Sequence, residues 1–70
     1  MMEVDARGMR CPIPIIELAK VIRTLNINEE ILLLSDDPAT SPDVQAWARM
    51  TGNVVVEDGQ YRFRIRKLSN

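Results

Sequence analysis

Gly8-Met9-Arg10-Cys11-Pro12-Ile13-Pro14-Ile15-Ile16-Glu17-Leu18-Ala19-Lys20-Val21-Ile22 is the stretch on which the fold turns. Its paired prolines, Pro12 and Pro14, look at first like a break in any helix. Position decides otherwise. Proline is tolerated in the first helical turn, where backbone N–H groups have no intrahelical partner. Ile15, Leu18, Ala19, Ile22 and Leu25 then recur at helical spacing, with Glu17, Lys20 and Thr24 on the opposite side. The spacing predicts a helix from about Pro12 to Leu25, with Cys11 at or beside its N-cap.

Working outward, residues 2–7 alternate apolar and polar, which reads as a short strand ended by Gly8. On the other side, Ile31 to Leu34 is an unbroken apolar run, read as a central strand buried along its length. Ser41-Pro42-Asp43 reads as a second helix start, with Ser41 as N-cap and Pro42 at the first helical position. Val44, Trp47, Ala48 and Thr51 form that helix's inner stripe, with Trp47 expected in the core, and Gly52 stands where a helix-ending glycine belongs. Val54-Val55-Val56 leads to Asp58-Gly59, a two-residue hairpin signal, and Tyr61, Phe63 and Ile65 then alternate with Arg62, Arg64 and Arg66. The order is β-α-β-α-β-β. Two helices cover only one face of a four-stranded mixed sheet, so the expected fold is a two-layer α/β sandwich with the arginines on the open face. Seventy residues make a single domain spanning 1–70.

The side-chain inventory excludes much chemistry. There is one cysteine and no histidine. No internal disulfide and no Ser-His or Cys-His pair can form. No usual zinc ligand set exists, so neither a metal nor a cofactor is expected. Nine basic against ten acidic residues give a net charge of −1, and the aromatics are Trp47, Tyr61 and Phe63 alone. Neither feature fits direct nucleic-acid binding. The acidic N-terminal stretch has no apolar signal region and no run is long enough for a bilayer, so a cytoplasmic protein without membrane attachment is expected.

That leaves Cys11. A cysteine where a loop enters a helix is stabilised as thiolate by the helix dipole and free N–H groups, and Arg7 and Arg10 stand close in sequence. With the prolines removing two donors, the Ile13 N–H is the one expected to point at the sulfur. Pro14 occupies the place of a resolving cysteine in C-x-x-C, which excludes thioredoxin-type exchange. A nucleophile with neither base nor resolving partner suits a covalent carrier, which accepts sulfur as a persulfide and passes it on.

The stretch Asp5-Ala6-Arg7-Gly8-Met9-Arg10-Cys11-Pro12-Ile13-Pro14 resembles the D-x-x-G-x-x-C-P-x-P signature of the TusA-like (SirA-like) sulfur carriers. Asp36-Asp37-Pro38-Ala39-Thr40, followed by Asp43, Trp47 and Gly52, resembles the second patch of that family. The resemblance implies a sulfurtransferase of the carrier type, with little turnover on its own. It implies a persulfide on Cys11, framed by Asp5, Arg7, Gly8, Arg10, Pro12, Ile13 and Pro14, with Asp36, Asp37 and Pro38 in a second loop. It implies a cysteine desulfurase or rhodanese-type donor and a DsrE-like or other acceptor. The routes served would be tRNA thiolation, molybdenum-cofactor synthesis or sulfur metabolism. One departure is visible. Many members end the second helix with Gly-His where this chain has Gly52-Asn53, which leans away from the tRNA-thiolation branch. Met9 and the row Arg62, Arg64, Arg66 are candidate partner-docking residues. They also carry the alternative reading, a non-enzymatic interaction module. A monomer is the favoured state.

Overall fold

The computed structural model describes residues 2–68; Met1, Ser69 and Asn70 lie outside them. Its elements are β1 (Met2–Asp5), α1 (Ile13–Ile22), β2 (Glu30–Leu34), α2 (Thr40–Thr51), β3 (Val54–Glu57) and β4 (Arg62–Arg66). The sheet order is β1-β2-β4-β3. β1 runs parallel to β2, while β4 pairs antiparallel with both β2 and β3. This is the expected mixed sheet with two helices on one face.

Alternation along the strands sorts the two faces. Ile31 and Leu33 of β2 sit opposite Ile65 and Phe63 of β4, and all four are buried under the helices. Leu18 and Ile22 of α1 and Val44 of α2 close the same core, joined by Ala6 and Leu25. Leu32 and Leu34 point the other way and are half-buried, so the apolar run is not buried along its whole length. No helix covers that side; its neighbours there are arginine side chains.

Those arginines do stand on the open face, exposed at Arg62, Arg64 and Arg66. Two of them are not free cations. Glu30 of β2 accepts from Arg64 at 3.0 Å and from Arg66 at 3.2 Å. The arginine bonds hold the Glu30 carboxyl below its ordinary value. An exposed cluster of this kind contributes little to stability. It does neutralise part of the docking row.

Local chemistry moves several element ends. α1 stops at Ile22, because the N–H groups of Thr24 and Leu25 turn back to Val21 and Ile22 in tight i−3 bonds. Leu25 still reaches the core. α2 begins at Thr40 with Ala39 as N-cap, not at Ser41. Asp37 explains the shift: its Oδ1 accepts the Ala39 N–H at 3.0 Å and its backbone carbonyl accepts Thr40 N–H at 2.9 Å. Pro42 therefore falls later in the first turn, where its missing donor is still tolerated. Gly52 ends α2 in the left-handed region at φ 76°, as expected. The hairpin connection is longer than two residues. Glu57 pairs with Phe63, Asp58 N–H bonds the Arg62 carbonyl at 2.8 Å, and Tyr61 takes φ 60°. Tyr61 thus sits in the turn, not in the strand.

At the pole away from Cys11, Lys67 is 3% exposed and donates from Nζ to the Leu25 carbonyl at 2.7 Å. A cation there meets the carbonyl-rich end of α1.

Candidate active site around Cys11

Two loops form the site. One follows β1 and carries Gly8 to Pro12; the other follows β2 and carries Ser35 to Ala39. Both leave the carboxyl ends of adjacent parallel strands, the usual place for a site in such sheets. The second loop holds the first. Both carboxylate oxygens of Asp36 accept the Gly8 N–H at 3.0 Å. Gly8 sits at φ 83°, a conformation that glycine adopts without strain. Asp37 Oδ2 accepts the Cys11 N–H at 2.9 Å while its Oδ1 accepts the N–H of Ala39, just before α2. One carboxylate therefore ties the cysteine backbone to the start of α2. Both bonds keep the Asp37 carboxyl below its ordinary value, with Arg10 adding charge attraction.

The sulfur lies beside α2. Cys11 Sγ stands 3.5 Å from Thr40 Oγ1, which stands 2.7 Å from Ser35 Oγ. Thr40 and Ser35 are buried, at 0% and 2% exposure, while Cys11 is half-buried. Cys11 and Pro12 are joined by a cis peptide bond.

Cys11 stands beside the N-cap of α1, as expected, and the N-cap itself is Pro12, without a side-chain cap. Several expectations are corrected here. The Ile13 N–H does not face the sulfur, because it donates to the Arg10 carbonyl at 2.9 Å. Arg7 does not serve the thiol either. It closes a bidentate pair on Asp5 at 2.9 Å, which pulls the Asp5 carboxyl down to about 2. The thiol is not eased toward thiolate. Burial pushes Cys11 above its ordinary value, the Thr40 hydroxyl opposes this, and Asp43 and Asp37 add to the rise. The free protein keeps its cysteine protonated at neutral pH.

The Asp43 carboxylate, in the first turn of α2, raises the Cys11 thiol. Replacing Asp43 by Asn removes a negative charge that disfavours thiolate, so the thiol should ionise at lower pH. Iodoacetamide alkylation at pH 7 is expected to quicken about threefold in Asp43→Asn. An unchanged or slower rate would contradict this role.

Two recesses are lined by residues that adjoin Cys11 in sequence. Gly8, Met9, Arg10, Asp36, Asp37 and Pro38 line one of about 300 Å³. Met9 is half-buried and packed against the core, so it offers less free apolar surface than expected. The second recess, also about 300 Å³, lies between the helices and includes Pro12, Ile15, Asp43, Trp47 and Met50. Trp47 is half-buried and shared between core and groove, not a full core residue. Ile13 and Met50 expose 43% and 86% of their surface nearby. Pro14 is buried and anchors α1.

Sequence reading missed Ser35, Thr40 and Asp43 as neighbours of the sulfur. A signal existed for two of them. Ser35 follows Ile31 and Leu33 at period two, and Thr40 precedes Val44 and Ala48 at period four. Both are hydroxyl residues on core-facing positions, which require a partner.

The site is thus a half-exposed thiol on a loop that two aspartates of the neighbouring loop hold in place, on a two-layer sandwich. The family model described as "Sulfurtransferase TusA" matches residues 2–67, and the chain belongs to that family. A protein of Archaeoglobus fulgidus described as "Putative sulfur carrier protein" is 32% identical over 97% of this chain and 99% of its own length. The sulfur carrier protein TusA of Allochromatium vinosum is 32% identical over 93% of this chain and 91% of its own. The crystal structure of a SirA-like protein from Desulfitobacterium hafniense shares the fold at a TM-score of 0.72 and 25% identity, covering 93% of this chain and 92% of that one.

Proposed function

We propose that the chain is a sulfur carrier that holds sulfane sulfur as a persulfide on Cys11 and relays it between proteins. The observation that carries this reading is the thiol itself: the chain's one cysteine, half-exposed, with its backbone N–H fixed by Asp37. Loading is a thiol–persulfide exchange. The Cys11 thiolate attacks the terminal sulfur of a donor persulfide, a sulfur–sulfur bond forms on Cys11, and the donor cysteine leaves as thiolate. Discharge repeats the exchange with an acceptor thiolate attacking the sulfur carried by Cys11.

The raised thiol explains why such a carrier works with partners. Alone, Cys11 is mostly protonated, which restrains unwanted disulfide formation. A docked partner that places positive charge near Asp43 and Asp37 would favour the thiolate. Donors of the cysteine desulfurase or rhodanese type and DsrE-like or similar acceptors fit this scheme, in a cytoplasmic setting. No described helix is long and apolar enough to cross a membrane. The reading is tested by incubating the protein with a cysteine desulfurase and cysteine, then measuring intact mass. One added sulfur, mapped to the Cys11 peptide and removed by dithiothreitol, is expected. A mass that stays unmodified with desulfurase and rhodanese donors alike would refute it.

A further inference from the structure

We propose that Thr40 is a catalytic hydrogen-bond donor to the Cys11 sulfur, oriented for that task by Ser35 as a positioning residue. The proposal rests on the carrier reading above. The direction of the chain follows from the chemistry of the thiolate, whose sulfur can only accept. Ser35 Oγ accepts the Asp37 N–H at 3.3 Å. Its own O–H has Thr40 Oγ1, at 2.7 Å, as the acceptor within reach. With the thiolate formed, the Thr40 O–H donates to Cys11 Sγ, 3.5 Å away, and Thr40 Oγ1 is left to accept from Ser35. The chain therefore runs Asp37 N–H to Ser35, Ser35 O–H to Thr40, and Thr40 O–H to sulfur. Ser35 and Thr40 are buried, so water does not compete for the hydroxyl.

A donor at Sγ matters at both ends of the carrier cycle. In loading, it stabilises the Cys11 thiolate that attacks the donor's terminal sulfur. In discharge, the acceptor thiolate bonds the carried sulfur, the S–S bond to Cys11 breaks, and its electron pair returns to Sγ. The leaving thiolate meets the same hydroxyl. No proton is transferred and no oxidant is consumed, so Thr40 acts as a fixed dipole aimed where negative charge forms. The charged groups facing the sulfur are Asp43 from α2 and Asp37 from the loop before it. Both are acidic, so Thr40 is the opposing influence on the thiolate from these elements.

Thr40→Val keeps shape and removes the donor. Thr40→Ser restores it. Alkylation of Cys11 by iodoacetamide as a function of pH reads the thiolate directly, without any partner. Thr40→Val is expected to slow alkylation at pH 7 roughly tenfold and move the profile to higher pH, as for loss of one hydrogen bond to a charged group. Thr40→Ser should recover the wild-type profile within about twofold. Ser35→Ala, which leaves Thr40 unanchored, should fall between. Should Thr40→Val fail to fold, Ser35→Ala and Thr40→Ser carry the comparison. Profiles of the folded donor-deleted variants that coincide with wild type would overturn the proposal. Failure of the wild type to accept sulfur would instead remove the carrier reading and leave the alkylation result standing.

Discussion

Cys11→Ser is expected to abolish sulfur loading entirely while leaving the fold in place. The backbone contacts of this residue do not depend on its side chain: its N–H still donates to Asp37, and Asp37 still accepts the Ala39 N–H before α2. A serine oxygen is smaller than sulfur, so Thr40 keeps an acceptor in roughly the same direction. What disappears is the thiolate, and a serine hydroxyl does not form a persulfide. Urea unfolding should therefore shift by less than about 1 kcal/mol, as for a near-isosteric change. Intact mass after desulfurase treatment should show no added sulfur. A variant that still gains sulfur would mean the cargo sits elsewhere, and the role given to Cys11 would fall.

Phe63→Ala is the substitution expected to cost most stability. Phe63 is the largest fully buried side chain, at 1% exposure. It lies on β4, opposite Leu33 on one side and Glu57 on the other, where both flanking strands meet the helices. Truncating a buried Phe to Ala removes about 3–5 kcal/mol through lost transfer energy and the cavity left behind. A domain of this size has only about 4–10 kcal/mol to lose. The urea midpoint should fall by a third or more of its value, with the slope unchanged if unfolding stays two-state. A loss under about 1 kcal/mol would show that the core refills the cavity and that Phe63 is not the central packing residue.

Much of the fold was legible because its signals are local. Pro12 and Pro14 do open a helix, Gly52 does end one, and the alternation of Phe63 and Ile65 with arginines does mark a one-sided strand. The family patches quoted from the sequence cover the loops that the structure brings together. What was not legible depends on contacts between distant segments. Asp37, in the preceding loop, accepts the N–H groups of Ala39 and Thr40 and displaces the start from Ser41. Arg10 claims the Ile13 N–H and Asp5 claims Arg7, so neither expected helper reaches the thiol. A rule for cysteines at helix starts gives a lowered thiol. Here burial and two carboxylates outweigh it, because the helix that approaches the sulfur brings an acid, Asp43. Periodicity speaks for the face a residue occupies. It does not say which polar groups converge there.

The pinning of one loop by the other has a consequence for how such a chain diversifies. The bonds that fix Cys11 use backbone N–H groups on one side and Asp36 and Asp37 on the other. Met9, Arg10 and Pro38 contribute no side-chain bond to that frame among the described residues, yet they line the recess beside it, Arg10 and Pro38 exposed. The frame and these side chains can therefore change independently. Substitution among them is free to re-address the carrier to a different donor or acceptor, while the two aspartates keep the sulfur in place.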